Sequence, residues 1–225
     1  MKKKNLLIVG SSSTLGKKLF KNLSDRNLNI YQTSNQKNIK NSIKCNFEDA
    51  VSIQESVRKI NALKLSFDYI FFLQGELLGK SLYKYKNDEI MKNLNINLLS
   101  CVQIIKNVKL SKNSLAIFVS SVSGQRGSYD PIYAAGKSAL INLTKSLSSW
   151  HAPRNRFICI CPGPVKDTPM FNKFSFKRKR YHRISNPNKE LLNSKDLASI
   201  ILNLMEPHWR HANGSIININ GGVYS

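Results

Sequence analysis

The chain has 225 residues, a length that suits one domain with a full hydrophobic core, and we place that domain over residues 1–225. Its hydrophobic content of 41% is ordinary for a soluble globular protein, and no apolar stretch approaches the roughly 20 residues that a bilayer-spanning helix needs. The net charge of +22 is unusual, but the lysines are dispersed, so we attribute most of them to compositional drift and do not expect a nucleic-acid partner. Recruitment of an anionic partner, such as nucleic acid, anionic lipid or an acidic carrier protein, is the alternative interpretation of this charge.

Short apolar segments alternate with helical ones along the chain. This alternation is typical of parallel strands joined by crossover helices, so we predict an α/β fold with a doubly wound sheet. The predicted strands are Asn5–Val9, Leu28–Thr33, Ser42–Cys45, Phe67–Leu73, Ser114–Ser120, Arg156–Cys161 and Ser215–Ile219, and the predicted helices are 15–24, 50–62, 88–108, 131–150 and 194–205.

The longest stretch without a predicted element is about 164–193. Such a length in a compact domain indicates a functional loop, and we predict a lid at about 166–193. Within this stretch, residues 173–183 are rich in cations and aromatic side chains and contain no acid. A basic loop with no specific role is the alternative to a lid that attracts an anionic substrate. The cations expected to act are Lys177, Arg178, Lys179, Arg180 and Arg183.

The four cysteines, Cys45, Cys101, Cys159 and Cys161, contain no C-x-x-C pair. Three of them lie in apolar segments, so we expect reduced core residues and a cytoplasmic protein. We expect no metal site.

The first predicted strand runs into the turn Gly10-Ser-Ser-Ser-Thr-Leu-Gly16, and a helix follows. A turn of small residues at a helix N-terminus offers free N–H groups to a phosphate. The spacing differs from G-x-x-x-x-G-K-[ST] and from G-x-G-x-x-G. It is similar to G-x-x-x-G-x-G, with Thr14 in place of the middle glycine.

Tyr133 and Lys137 are four residues apart in a predicted helix, twelve residues beyond Ser121. Residues at this spacing share one helix face, and an ammonium beside a phenol lowers the phenol pKa from about 10. Ser121 follows a buried strand and can bond the same substrate oxygen. These residues predict a proton-transfer site for a carbonyl and its alcohol. A tyrosine that packs against a solvated lysine is the alternative.

Together these motifs resemble the short-chain dehydrogenase/reductase family in its single-domain form, over essentially the whole chain. The resemblance implies a Rossmann-type sheet of about seven strands in the order 3-2-1-4-5-6-7, with helices on both faces. It also implies a catalytic tetrad of Asn97, Ser121, Tyr133 and Lys137. In the family, Tyr133 would exchange the proton, Ser121 would hold the substrate oxygen, Lys137 would lower the tyrosine pKa and bond the nicotinamide ribose, and Asn97 would position a water that relays protons.

Other segments carry the same resemblance. Cys161-Pro-Gly-Pro-Val-Lys-Asp-Thr168 matches the family's Pro-Gly loop, whose threonine reaches the nicotinamide amide, and Asn213–Gly222 matches the last strand with its Gly-Gly. The family's Asn-Asn-Ala-Gly turn is Phe72-Leu-Gln-Gly75 here, and Asn46 stands for an aspartate that meets the adenine amine. The implied cofactor-binding residues are Gly10, Ser12, Ser13, Thr14, Leu15, Gly16, Ser34, Asn35, Asn46, Phe47, Gln74, Gly75, Tyr133, Lys137, Pro162, Gly163, Val165 and Thr168.

The end of the second strand bears on cofactor choice. An acid there would bond the ribose of NAD and repel the 2′-phosphate of NADP. This chain has Thr33-Ser-Asn-Gln-Lys37 without an acid, so Ser34, Asn35 and Lys37 favour NADP(H), with NAD(H) possible. An aspartate at Ser34 is expected to reverse the preference.

The resemblance implies an NAD(P)-dependent oxidoreductase that interconverts a carbonyl and a secondary alcohol. A 3-oxoacyl group on an acidic carrier protein and a nucleotide-linked sugar both suit a basic lid, and plain ketones are open. A subunit of this fold that senses nucleotides without turnover is the alternative function. The family typically pairs its long helices, here 88–108 and 131–150, so we expect a homodimer or homotetramer.

Overall fold

The structure is a computed structural model that describes residues 3–23, 26–36, 39 and 42–224. Within these residues, seven parallel strands form one sheet in the order β3-β2-β1-β4-β5-β6-β7, which confirms the predicted fold class. The strands are β1 (Lys4–Val9), β2 (Leu28–Ser34), β3 (Ser42–Lys44), β4 (Phe67–Phe72), β5 (Leu110–Val119), β6 (Asn155–Pro162) and β7 (Ile216–Ile219).

Helices cover both faces of this sheet. The predicted helix 88–108 is interrupted by a π-helical turn, Asn95–Leu99, which separates α3 from α4. The helices of the described residues are α1 (Thr14–Leu23), α2 (Ala50–Ala62), α3 (Asn87–Leu94), α4 (Ser100–Asn107), α5 (Val122–Arg126), α6 (Pro131–Trp150), α7 (Pro169–Asn172), α8 (Phe176–Ile184) and α9 (Ser194–Asn203), with 3₁₀ turns at Leu82–Lys84 and Pro207–Trp209. None of them is both long and apolar enough to cross a membrane.

The stretch 164–193 is not irregular, contrary to our expectation. It contains α7 and α8, each begun by a hydroxyl that caps the helix: Thr168 accepts from the amide of Phe171, and Ser175 accepts from the amide of Arg178. A bridge between Val165 and Leu192 closes the excursion at its base. The predicted lid is therefore a helical arm with a fixed base.

Successive side chains of a strand point to opposite faces of the sheet, so a hydrophobic core forms on each face. In β1, Leu6 and Ile8 face the layer of α1 and α9, while Leu7 and Val9 face the layer of α2, α4 and α6. All four side chains are fully buried, which explains why the strand is continuously apolar. The polar residues of β1 are therefore confined to its amino-terminal start. The carboxyl ends of parallel strands lie at one edge of the sheet, where ligands bind in folds of this kind.

Candidate active site

Tyr133 and Lys137 lie in the first two turns of α6. Pro131 occupies the first turn, and the Asp130 carboxylate caps the helix by accepting a hydrogen bond from the Tyr133 amide at 3.1 Å. Both side chains are buried, and the Lys137 Nζ lies 5.9 Å from the centroid of the Tyr133 ring. The predicted sharing of one helix face is therefore present.

The Lys137 ammonium joins the helix to two strand ends. Its Nζ donates to the carbonyl of Gln74 at 3.2 Å and to the carbonyl of Val119 at 2.9 Å. The Ser120 hydroxyl in turn donates to the Lys137 carbonyl at 2.7 Å. These contacts fix α6 against the ends of β4 and β5.

Burial dominates the titration of this pair. It raises the pKa of Tyr133 to about 12, although the neighbouring Ser121 hydroxyl lowers it and the charges of Asp130 and Cys161 raise it further. Burial also lowers the pKa of Lys137. The expectation that Lys137 lowers the tyrosine pKa is not met in the protein alone, because burial raises this pKa and the Lys137 ammonium is not among the groups that shift it.

Ser121 caps α5 at the end of β5. Its Oγ accepts a hydrogen bond from the Ser123 amide at 3.1 Å, which fixes the hydroxyl at the helix start. The side chain lines the same cleft as Tyr133 and Lys137. Two hydroxyl groups and one amine thus meet at the carboxyl ends of β4 and β5.

Asn97 is fully buried in the π-helical turn and is not part of the cleft lining. Its Oδ1 accepts from the Glu76 amide at 3.2 Å, and its Nδ2 donates to the Glu76 carbonyl at 2.9 Å. A Cβ on Gly75 would stand 2.9 Å from the Lys137 Nζ and 3.3 Å from the Asn97 Oδ1. Asn97 therefore reaches the site from behind, through the Gly75–Glu76 backbone.

A cleft of about 1320 Å³ runs along this edge of the sheet. Its lining contains three of the four predicted catalytic residues, all except Asn97, and most of the predicted cofactor-binding residues. The lining includes Gly10, Ser12, Ser13, Thr14, Leu15, Asn35, Asn46, Phe47, Gln74, Gly75, Ser121, Tyr133, Lys137, Pro162, Gly163, Val165 and Thr168, whereas Gly16 and Ser34 are not in contact with it.

The glycine turn closes tightly on its surroundings. Gly10 has φ +82°, and a Cβ there would stand 2.9 Å from the Gln74 amide nitrogen. A Cβ on Gly16 would stand 2.5 Å from the Ser11 carbonyl oxygen, so Gly16 lets the turn pack onto the start of α1 without lining the cleft. At the start of α1, the Gly16 amide donates to the Ser13 hydroxyl at 3.0 Å, and the positive end of the helix favours an anion beside its other first N–H groups.

The other cofactor positions also suit a dinucleotide. Gln74 lines the cleft, and its buried Oε1 has no hydrogen-bond partner among the described residues, while its Nε2 donates to Ser100 at 2.9 Å. The Asn46 Oδ1 accepts from the Glu48 amide at 3.2 Å and keeps a second lone pair for a ligand. The Thr168 hydroxyl donates to the Val165 carbonyl at 2.8 Å.

At the end of β2, the two polar residues differ in orientation. Ser34 is fully buried, and its Oγ accepts from the Gln36 amide at 3.0 Å. Asn35 lines the cleft. An aspartate at Ser34 would bury a carboxylate, whereas a side chain at Asn35 lies at the cleft. Lys37 lies outside the described residues.

Sequence reasoning missed Asp130, which is fully buried and bonds three segments. Besides the Tyr133 amide, it accepts from the Tyr85 hydroxyl at 2.6 Å and from the Gly79 amide at 2.8 Å. Burial, together with this carboxylate, raises the pKa of Tyr85. An aspartate directly before the proline of a predicted helix was the available signal, since it is a capping pattern.

The chain is similar to known proteins over nearly its whole length. The family model described as "Enoyl-(Acyl carrier protein) reductase" matches residues 19–224. The chain belongs to the short-chain dehydrogenase/reductase family, a family of oxidoreductases.

The similar proteins include two full-length relatives and one partial match. A 3-oxoacyl-[acyl-carrier-protein] reductase from Buchnera aphidicola subsp. Schizaphis graminum is 28% identical, with 100% of this chain and 98% of the relative covered. The corresponding enzyme of Vibrio harveyi is 23% identical, with 97% and 96% covered. A bifunctional ribulose 5-phosphate reductase/CDP-ribitol pyrophosphorylase from Haemophilus influenzae is 25% identical, with 77% of this chain and 36% of the relative covered.

Solved structures share the fold. A short-chain dehydrogenase family protein from Francisella tularensis has a TM-score of 0.88 at 24% identity, with 98% of each chain covered. A short-chain dehydrogenase from Burkholderia cenocepacia in complex with NADP has a TM-score of 0.87 at 21% identity, with 99% and 98% covered.

The raised pKa of Tyr133 gives a test on the protein alone. Because the folded phenol loses a proton only as the pH passes about 12, it should remain neutral at pH about 10.5, where a free tyrosine with a pKa near 10 is mostly ionised. Carbon NMR of ring-labelled tyrosine reports ionisation, and the Tyr133→Phe variant identifies the signal. Ionisation of Tyr133 below pH about 10 would show that Lys137 overcomes burial.

Proposed function

We propose that this protein is an NADP(H)-dependent reductase of a 3-oxoacyl group that is held as a thioester on a carrier. Three features support this proposal: Ser121, Tyr133 and Lys137 line one cleft with the glycine turn, the chain belongs to a family of oxidoreductases, and full-length relatives are 3-oxoacyl-[acyl-carrier-protein] reductases. The convergence of these three side chains carries the proposal.

The cofactor would lie along the cleft from α1 to α6. The turn at Gly10 and the start of α1 would hold the pyrophosphate, Asn35 the substituted ribose, and Asn46 with Phe47 the adenine. Pro162, Gly163 and Thr168 would flank the nicotinamide. When bound, the nicotinamide supplies a hydride to the carbonyl carbon.

Tyr133 supplies the proton in this scheme. A pKa of about 12 keeps the phenol neutral at physiological pH, so the side chain can donate a proton to the oxygen of a ketone as it becomes an alcohol. Ser121 shares the cleft and orients the same oxygen by a second hydrogen bond. The neutral phenol is the form that reduction of the carbonyl needs, although a pKa of about 12 makes it a weaker acid than a free tyrosine.

Lys137 and Asn97 position these groups. The Lys137 ammonium stays fixed by the Gln74 and Val119 carbonyls, and its third proton is available to a ribose hydroxyl or to a water. Asn97 holds the Glu76 backbone beside it. We propose that Asn97 directs proton relay to Lys137 through this segment.

Two other functions compete with reduction of a 3-oxo thioester. The description of the family model favours reduction of an enoyl thioester. The paired hydroxyls of Ser121 and Tyr133 favour a ketone, because both can bond the one oxygen that gains a proton. A nucleotide-sensing subunit would bind the cofactor without any turnover.

The reaction is tested by NADPH oxidation with 3-oxobutyryl-pantetheine and, in parallel, crotonyl-pantetheine. We expect the oxo thioester to be reduced and the enoyl thioester to react far more slowly. Tyr133→Phe should lower kcat by about 10²–10⁴ with the NADPH Kd nearly unchanged, because only the proton donor is lost. Tyr83→Phe is the matched control, since Tyr83 is 97% exposed.

Full activity of Tyr133→Phe would contradict the role of Tyr133. Faster reduction of the crotonyl thioester would assign the protein to enoyl reduction. NADPH binding without turnover of either thioester would favour the sensing subunit.

Cofactor preference is tested at Asn35. We expect NADPH to bind more tightly than NADH, and Asn35→Asp to shift the ratio of the two dissociation constants by about tenfold or more toward NADH, because a carboxylate repels the 2′-phosphate by about 1–4 kcal/mol. Asn29→Asp, at the exposed opposite end of β2, is the control. Equal or tighter NADH binding to the unmodified protein, measured by calorimetry, would contradict the NADP preference.

We propose a homodimer or homotetramer that pairs α3, α4 and α6. Met91 and Trp150 are exposed apolar side chains on these helices, and Leu99 adds a third in the π-helical turn between α3 and α4. A cytoplasmic location is likewise our proposal, in keeping with four free and buried cysteines.

A further inference from the structure

The cations of the helical arm point in two directions. Arg178 and His182, one helical turn apart in α8, line the cleft, whereas the neighbouring Lys177 is exposed and outside it. The Lys179 Nζ donates to the Asn172 carbonyl at 3.0 Å. Our expectation that every cation of this run meets the substrate is therefore too broad.

Arg126 adds an exposed cation to the cleft lining from another element. It ends α5, five residues beyond Ser121, and lines the same cleft. At about 1.5 Å of rise per helical residue, its backbone is roughly 7–8 Å along the helix from the serine. One ligand molecule can therefore reach both Arg126 and a carbonyl bound at Ser121.

Aromatic rings fix the side chains of α8. The Arg178 guanidinium lies 4.1 Å from the centroid of the Phe174 ring, and the ring of His182 lies 5.5 Å from the same ring. The Arg178 Nη1 reaches across to within 3.9 Å of the position that a Cβ on Gly79 would occupy. The arm therefore holds Arg178 over the mouth of the cleft.

No acidic side chain pairs with these groups within the described part of the protein. Neither guanidinium forms an ion pair there, although the Glu76 side chain lines the same cleft. The buried Nε2 of His182 has no hydrogen-bond partner in that part either. Burial, followed by the charges of Arg178 and Arg126, lowers the pKa of His182, so both arginines act on this imidazole.

We propose that Arg126, Arg178 and His182 form a phosphate-binding subsite at the mouth of the cleft, which holds a phosphate that belongs to the substrate. Guanidinium groups bind phosphate oxygens through paired N–H donors, and a phosphate offers several oxygens to donors that converge from different elements. The half-buried positions of Arg178 and His182 in the cleft lining favour a small anion inside the cleft over the acidic surface of a carrier protein, which the outer cations of α8 can meet.

Two sources can supply this phosphate, and the inference rests on the proposed carbonyl reduction. One is the phosphopantetheine arm of a carrier, which joins a phosphate to the thioester. The other is a phosphorylated ketose, as in the name of the Haemophilus influenzae relative. Both present the same chemistry to the two arginines.

The test compares ligands that differ only by the phosphate. Protein saturated with NADP⁺, so that the cofactor's own phosphate sites are filled, is titrated calorimetrically with pantetheine and 4′-phosphopantetheine, and with ribulose and ribulose 5-phosphate. We expect the phosphate to tighten binding of at least one pair by about tenfold or more, as a charge-assisted hydrogen bond implies. Arg178→Gln and Arg126→Gln should each remove most of this gain.

Lys177→Gln is the matched control, because it removes an equal charge from the outer face of α8 and should preserve the gain. Equal binding of both members of each pair to the unmodified protein, or an equal loss in Lys177→Gln and Arg178→Gln, would overturn the subsite. Which pair gains from the phosphate identifies its source.

Turnover separates this inference from the proposed function. Reduction of 3-oxobutyryl-pantetheine, which has no phosphate, without any phosphate gain in binding would retain the reductase and overturn the subsite. A phosphate gain that depends on Arg178, without turnover of any thioester, would retain the subsite and overturn the reductase. Arg178→Lys should recover part of the gain, since it restores the charge without the paired donors.

Discussion

The site depends on one buried ammonium. Lys137 is 2% exposed, and removal of its charge from water is costly unless hydrogen bonds replace the lost hydration. The carbonyls of Gln74 and Val119 provide this replacement, because Val119 ends β5 and Gln74 lies two residues beyond the end of the neighbouring β4. The cost of burying the charge is thus offset by contacts that also set the distance between α6 and the sheet.

The positions of the other site residues follow from this contact. Gly75 leaves space beside the ammonium that a Cβ would fill, and Asn97 holds the next residue from behind. The glycine turn, Ser121 and the Pro162–Gly163 segment lie at the carboxyl ends of parallel strands, so they meet at the same edge of the sheet. Asp130 adds a second fixed point, since it ties the start of α6 to the Gly79 loop.

Much of this arrangement could be predicted from the sequence. Apolar strands alternating with helices indicated the sheet, and the spacing of Tyr133 and Lys137 indicated one helix face. The tyrosine pKa could not be predicted, because its direction depends on burial by residues that are distant in the chain. The side to which Ser34 points was equally hidden, since a strand end reveals its face only once its neighbours are placed.

The helical arm shows a different limit. Almost every residue of α8 is charged or aromatic, so no apolar period marks it as a helix. Its order comes from the Ser175 cap and from stacking of Arg178 on Phe174, and neither contact can be inferred from composition. The π-helical turn at Asn95–Leu99 is likewise invisible, because the helical pattern of 88–108 continues through it.

Lys137 fixes the ends of β4 and β5 through its hydrogen bonds to Gln74 and Val119, and amide hydrogen exchange in the Lys137→Met variant measures this effect. The amides of Leu73 and Ser120 bond the carbonyls of Val9 and Ile160 at this edge. We expect the exchange of these two amides to accelerate much more than that of the Leu7 amide in the middle of β1, because the substitution removes the ammonium while nearly preserving side-chain length. An equal acceleration at all three amides, with the fold intact, would contradict this role of Lys137.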